Sequence, residues 1–124
     1  MRVITREAVH ALIRGHKYYN DNTYVRVFSN GNRELCLHDN RIVWYDKGKY
    51  YLSLCGWNTN TTRDRLNGFL FTIGAHAKIV TRKYVPYIQY NDGRKVQISG
   101  RATLSFNDDD DELIVASFDP NYRG

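Results

Sequence analysis

Between residues 23 and 55 the chain repeats one pattern. Short runs of strand-forming residues are separated by two or three turn-forming ones, and this constrains the fold more than any other feature. Parallel neighbours need a crossover of about a dozen residues or more. None of these gaps allows one, so the runs must fold as an antiparallel meander. Residues 23–29 are rich in β-branched and aromatic types, and Asn30-Gly31 follows. That dipeptide is the strongest short hairpin signal, because both central residues of a type I′ turn take positive φ, and a two-residue or bulged hairpin turn is expected there and at Asp92-Gly93. From 33 to 38 the residues alternate, with Leu35 and Leu37 on one face and Glu34, Cys36 and His38 on the other. Asp39-Asn40 makes the next turn, 41–45 the third strand, Asp46-Lys47-Gly48 a further turn, and 49–55 the fourth strand. There Tyr50, Leu52 and Leu54 share a face opposite Tyr51, Ser53 and Cys55.

Helical spacing flanks this block. Ile4, Ala8 and Leu12, with Val9 and Ile13, form one apolar stripe; Thr5 can cap, Glu7 suits the first turn and Gly15 stops a helix over 5–14. The run Thr59-Asn60-Thr61-Thr62 offers several caps, and a second helix is predicted over 62–72, burying Leu66, Phe69, Leu70 and Ile73 and turning Arg63, Asp64 and Asn67 outward. Gly68 weakens it by roughly 1 kcal/mol relative to Ala, which is acceptable if close packing on the sheet needs it. Strands return over 77–82, 84–90, 94–99, 101–106 and 112–118, with Asp92-Gly93 a second hairpin signal. Pro86 lacks a ladder donor and points to an edge strand or a bulge. The expected fold is a single α+β domain, a curved antiparallel sheet with one N-terminal and one central helix. Along the chain it divides into helix and loop (1–21), meander (22–56), helix (57–74), further strands (75–119) and a frayed tail (120–124).

Charge narrows the partners. The formal net charge is +5, and five of the thirteen acids lie in one run, 108–112. The rest of the chain sets all eighteen bases against the remaining eight acids. Such an excess attracts polyanions, of which nucleic acid is the commonest, although a basic surface also serves plain solubility. The acidic run reads as a solvated hairpin tip that could lie over the basic surface and compete with nucleic acid. No apolar run approaches the ~20 residues of a membrane span. The N-terminus lacks the apolar core of a secretory signal. A soluble cytoplasmic protein with no membrane partner is therefore expected.

The residue patterns argue against catalysis and cofactors. Cys36 and Cys55 are the two cysteines, both in apolar stretches, and are expected to stay reduced. Cys36, His38, Cys55 and His76 lack the paired spacings of a zinc site, so no metal is expected. The acidic run lacks the glycine and the distant glutamate of a calcium loop. No serine sits in a nucleophile elbow and no glycine-rich phosphate loop is present. His16 beside Lys17, Tyr18 and Tyr19 is the one cluster with the make-up of a general base. No enzyme activity and no cofactor are expected. The ten tyrosines and two tryptophans are more informative, because many adjoin cations: Lys17-Tyr18-Tyr19, Tyr24 near Arg26, Lys49-Tyr50-Tyr51 and Lys83-Tyr84. Single strands stack on aromatic faces interleaved with cations, and protein interfaces also favour Tyr.

Two segments look familiar. Leu37-His38-Asp39-Asn40-Arg41-Ile42 resembles an L-(H/Y)-G-N-x-I pattern, with Asp39 in place of the glycine. Gly56-Trp57-Asn58-Thr59-Asn60-Thr61-Thr62-Arg63-Asp64-Arg65-Leu66-Asn67 resembles G-W-x-T-x-T-T-(R/K)-x-R-L-N. Both patterns are those of a group of small tailed-bacteriophage proteins. The resemblance implies a phage gene product and by itself no activity. Physically the second segment is a strand-to-helix junction, with Thr61 or Thr62 as cap and Arg63 and Arg65 adding charge where the helix dipole already favours an anion. The candidate anion or nucleic-acid contacts are therefore Thr61, Thr62, Arg63, Arg65, Lys49, Tyr51, Lys83 and Tyr84. The reading is a small non-enzymatic phage accessory protein of the host cytoplasm that binds nucleic acid. A protein-directed inhibitor of a host enzyme or defence complex is the alternative, and a virion component a third.

Overall fold

The computed structural model describes residues 1–107 and 112–117. The acidic tip over 108–111 and the tail over 120–124 lie outside the described residues. The fold is α+β. A helix α1 (Val3–Arg14) precedes a meander of five strands: β1 (Tyr18–Asn20), β2 (Thr23–Val27), β3 (Arg33–Leu37), β4 (Asn40–Asp46) and β5 (Lys49–Leu52). This is one strand more than expected, because β1 pairs with β2 where the sequence pattern predicts a loop. The chain then forms a helix α2 (Asn60–Thr72) and a small sheet, β6 (Ala77–Arg82), β7 (Val85–Tyr90) and β8 (Lys95–Gln97). It returns as β9 (Thr103–Asn107) and β10 (Glu112–Ser117). β9 pairs antiparallel with β5, the strand from which the chain departed, which completes a seven-stranded sheet.

Turn chemistry accounts for the meander, with one correction: the turn expected at Asp39-Asn40 lies one residue earlier, at His38-Asp39. At Asn30-Gly31 and Asp92-Gly93 only the glycine has positive φ, +89° and +96°. The Gly31 N–H donates to the Phe28 carbonyl and the Phe28 N–H to the Asn32 carbonyl, both at 2.9 Å. The same bonds link Gly93, Tyr90 and Arg94. Of the two forms expected, this is the bulged one, closed by the glycine, and not the two-residue type I′ turn. Asn30 and Asp92 contribute through their side chains, each accepting the backbone N–H two residues on at 3.0 Å. The two-residue turns with paired positive φ occur instead at His38-Asp39, Lys47-Gly48 and Lys83-Tyr84.

Both helices begin earlier than their sequence pattern suggests. α1 starts at Val3, so Thr5 is not its cap and Glu7 lies beyond the first turn. α2 is capped by Thr59, whose hydroxyl accepts from the Thr62 N–H at 3.1 Å, so neither Thr61 nor Thr62 is the cap. α2 packs on α1 and on β6, and its buried residues Thr62, Arg65, Leu66, Gly68, Phe69 and Leu70 cover more than half its circumference. Asp64 and Asn67 are accordingly not free surface groups. Asp64 accepts from the Thr5 hydroxyl, and the Asn67 amide bonds both the N–H and the carbonyl of Ile79. Gly68 permits close packing, but on α1 rather than on the sheet: a Cβ there would run into Thr5 Cγ2.

Ala8, Val9 and Leu12 of α1 and Leu66, Phe69 and Leu70 of α2 cover Leu35, Val43, Leu52 and Leu104 of the large sheet. Ile79 and Ile88 of the small sheet extend this core. Pro86 sits in β7, the middle strand of the small sheet, and not at an edge. It is tolerated because its ring nitrogen faces the same side as its carbonyl, which accepts from Ile98 just past the end of β8.

Several neutral acids are held in their protonated form by this packing. Burial pushes the Cys36 and Cys55 thiols up, and burial with a hydrogen bond to Asp39 pushes the Tyr24 phenol up to about 12. The native chain therefore keeps protons that the unfolded chain loses at a pH of about 8.5 for a thiol and about 10 for a phenol. Their contribution is fully present below those values and is lost as pH rises from them through the raised native ones. The urea midpoint should fall between pH 8 and 11, and Tyr24→Phe should flatten the part above pH 10. A level or rising midpoint over that interval would contradict this assignment.

Candidate nucleic-acid interface

The helices cover only one face of the large sheet. Cross-strand pairing places Tyr19, Tyr24, Cys36 and Arg41 in one row of the other face and Arg26, Glu34, Trp44, Tyr51 and Ser105 in the next. No helix packs on this outer face among the described residues. The small residues Cys36, Ser53 and Ser105 are buried there beneath a layer of rings and guanidinium groups.

That layer is ordered. Tyr19 stacks on Tyr24 with ring centres 6.4 Å apart, and the Arg26 guanidinium lies 5.8 Å from the Tyr24 ring. Trp44 stacks on Tyr51 at 5.8 Å and 18°, and Arg41 lies 3.9 Å over the indole. Glu34 holds the two cations, paired with Arg26 and 4.0 Å from Arg41, while their side chains remain 57% and 50% exposed. Glu34 lies between the two guanidinium groups, and Asp39 accepts from the Tyr24 phenol, so cations and acids alternate along the layer. Lys49 continues it, opposite Asp46 at the end of the β4–β5 hairpin. Grooves of about 520 Å³ and 510 Å³ flank the layer, the first beside Tyr19 and Tyr24, the second beside Trp44 and Arg41.

A bulge makes this arrangement. Arg41 and Trp44 are three residues apart, and strict alternation would put them on opposite faces. The register shifts so that Leu35 faces Val43 and Cys36 faces Arg41, leaving Ile42 unpaired. The extra residue turns Arg41 onto the face of Trp44.

The residues expected from the sequence divide into three groups. Lys49 and Tyr51 belong to the outer face. Arg63 and Tyr84 come together elsewhere through Asn58, and Lys83 precedes Tyr84 in the β6–β7 turn. Arg63 donates to the Asn58 carbonyl and side-chain oxygen, and the Asn58 amide donates to the Tyr84 carbonyl at 3.3 Å and to Thr81. Tyr84 stands 96% exposed at that hairpin tip. Thr61, Thr62 and Arg65 surround the start of α2, but Arg65 is not a surface residue. It is 2% exposed, donates to the Thr23 hydroxyl at 3.1 Å and the Thr5 hydroxyl at 2.7 Å, and lies 3.4 Å from Asp64. Burial pulls its pKa down from the usual guanidinium value. Its charge ties α1, β2 and α2 together and is not presented to a ligand. Thr62 is also buried, its hydroxyl bonded to that of Thr59.

Cys36 is a buried free thiol, and Cys55 donates to the Arg41 carbonyl at 3.0 Å. Among the described residues no group of three or more His, Cys, Asp and Glu could hold a metal. No helix among them is long and apolar enough to cross a membrane.

The family of the Kyanoviridae Gp96 protein, a phage protein family, matches residues 1–111. The chain belongs to that family. The matched span is wider than the two segments that resemble phage proteins, and takes in both helices, the small sheet and the outer face through β9. No curated protein and no solved structure matches this Gp96-family chain.

Proposed function

We propose that this phage protein binds single-stranded nucleic acid across the outer face of its large sheet, as a non-enzymatic accessory protein in the cytoplasm of the infected cell. The observation that carries the reading is the stacked Trp44–Tyr51 pair with Arg41 over the indole, repeated in kind by Tyr19, Tyr24 and Arg26. Unpaired bases stack on aromatic rings and on guanidinium planes alike, and a sheet surface sets such groups side by side for successive bases. A double helix has no unstacked base to offer this layer, so single strands should be preferred. The net charge of +5 supports the reading, since cations near the platform would release counterions from the phosphates.

Fluorescence anisotropy on short single- and double-stranded oligonucleotides, over a salt series, tests it. Trp44→Ala with Tyr51→Ala should weaken single-strand binding by about ten- to a hundredfold, from a stacking worth of roughly 1–3 kcal/mol per base. Arg26→Ala with Arg41→Ala should flatten the slope of log affinity against log salt by about one unit for each phosphate that is no longer neutralised. If the wild-type protein binds neither strand type at low salt, the reading fails, and a host protein becomes the partner to seek on the same aromatic face.

A further inference from the structure

We infer that the cleft between the β3–β4 turn and the start of α2 binds a mononucleotide, its base against Trp57 and its phosphate toward Arg2. This does not rest on the strand-binding reading, because the cleft opens on the helix side of the sheet. Its volume is about 440 Å³, within the usual size of a small-ligand pocket. Leu37, Ile42 and Leu54, all buried, supply an apolar floor. The unpaired bulge residue Ile42 thus shapes this cleft as well as the outer face. Apart from Leu54, every residue of the lining comes from 37–42 or 56–67, the two segments whose sequence resembles phage proteins.

The lining defines the ligand chemistry. Trp57 is 59% exposed, and among the described residues its indole has no ring or cation partner, unlike that of Trp44. An unoccupied indole above an apolar floor fits a flat ring. The polar lining is hydroxyl, amide and imidazole, and no acid and no lysine contributes. Donors and acceptors of this kind read the edge of a heteroaromatic ring. The Asn40 amide has no side-chain partner among the described residues, and His38 Nε2 is only 3.5 Å from the Asn22 amide. The Asn40 amide and the other ring nitrogen of His38 are left to pair with a base edge. Charge enters at the rim, where exposed Arg2 donates one N–H to the Thr61 hydroxyl at 3.2 Å. The remaining guanidinium donors can take a phosphate.

Trp44→Phe leaves Trp57 as the sole tryptophan and makes its fluorescence the readout. Titration with AMP, GMP, CMP and UMP should give saturable quenching by at least one of them. Arg2→Ala should weaken that mononucleotide severalfold and leave its nucleoside unchanged. In calorimetry, Trp57→Ala should weaken binding by about tenfold or more, from the loss of one stacked base. Amide shift mapping on the unsubstituted protein gives an independent check: perturbations should centre on Leu37, Asn40 and Thr61. Three results would overturn the inference: no saturation at millimolar nucleotide, saturation indifferent to Trp57→Ala, or shifts confined to the outer face. Quenching by apolar peptides but by no nucleotide would also overturn it.

Discussion

Replacing Arg65 by alanine should cost the fold about 3–5 kcal/mol, the range for breaking a buried charge network by removing one partner. The guanidinium is the joint between three elements, bonding Thr5 of α1 and Thr23 of β2 from its place on α2. Its removal leaves two buried hydroxyls short of a donor and Asp64 short of a cation. It also opens a cavity where the largest fully buried side chain had been. Lysine should not restore stability, because one ammonium cannot reproduce the fork that reaches both threonines. Denaturant midpoints of Arg65→Ala and Arg65→Lys against wild type measure this. A loss below about 1 kcal/mol would mean that water takes over the role of the guanidinium. Any nucleic-acid assay on an Arg65 variant would therefore report unfolding before it reported weaker binding by a folded chain.

Gly68→Ala should destabilise by about 1–3 kcal/mol, although alanine is the better helix former by about 1 kcal/mol. The added Cβ would overlap the Thr5 methyl group, and Thr5 cannot readily rotate away. Its hydroxyl both accepts from Arg65 and donates to Asp64. Serine at position 5 keeps the hydroxyl and lacks the methyl. Thr5→Ser with Gly68→Ala should thus recover most of the loss, and the interaction energy of the double-mutant cycle should favour the pair. Additive single effects would show that the α1–α2 packing is looser than this geometry requires.

Part of the candidate interface was legible along the chain. Lys49 and Tyr51 follow from the Lys-Tyr-Tyr run and strand alternation, and the Tyr24–Arg26 pair from spacing of two on one strand. Arg41 and Trp44 were not legible, because alternation assigns them opposite faces and the bulge at Ile42 reverses one of them. A single unpaired residue leaves no local signature; only the register against β3 reveals it. The start of α2 misled for a different reason. Thr61, Thr62, Arg63 and Arg65 carry the composition of an anion site, yet α2 is packed on two sides and turns Arg65 inward. Asp64 beside it and the two threonines of α1 and β2 make that burial tolerable, and two of those partners are distant in the sequence.

Sequence alone determined the meander from β2 to β5, though not β1, together with the stops of both helices and the α+β class. Each depends on φ preferences, capping and side-chain alternation, which act over a few residues and need no distant partner. Tertiary structure decided the rest. Whether β5 would be an edge depended on β9 returning beside it, so that Leu52 pairs with Leu104. The faces of α2 depended on α1 and β6 closing over it from opposite sides. Such pairings are selected by which apolar surfaces can be buried together once the loops have closed, a property of the assembled elements and not of any one segment.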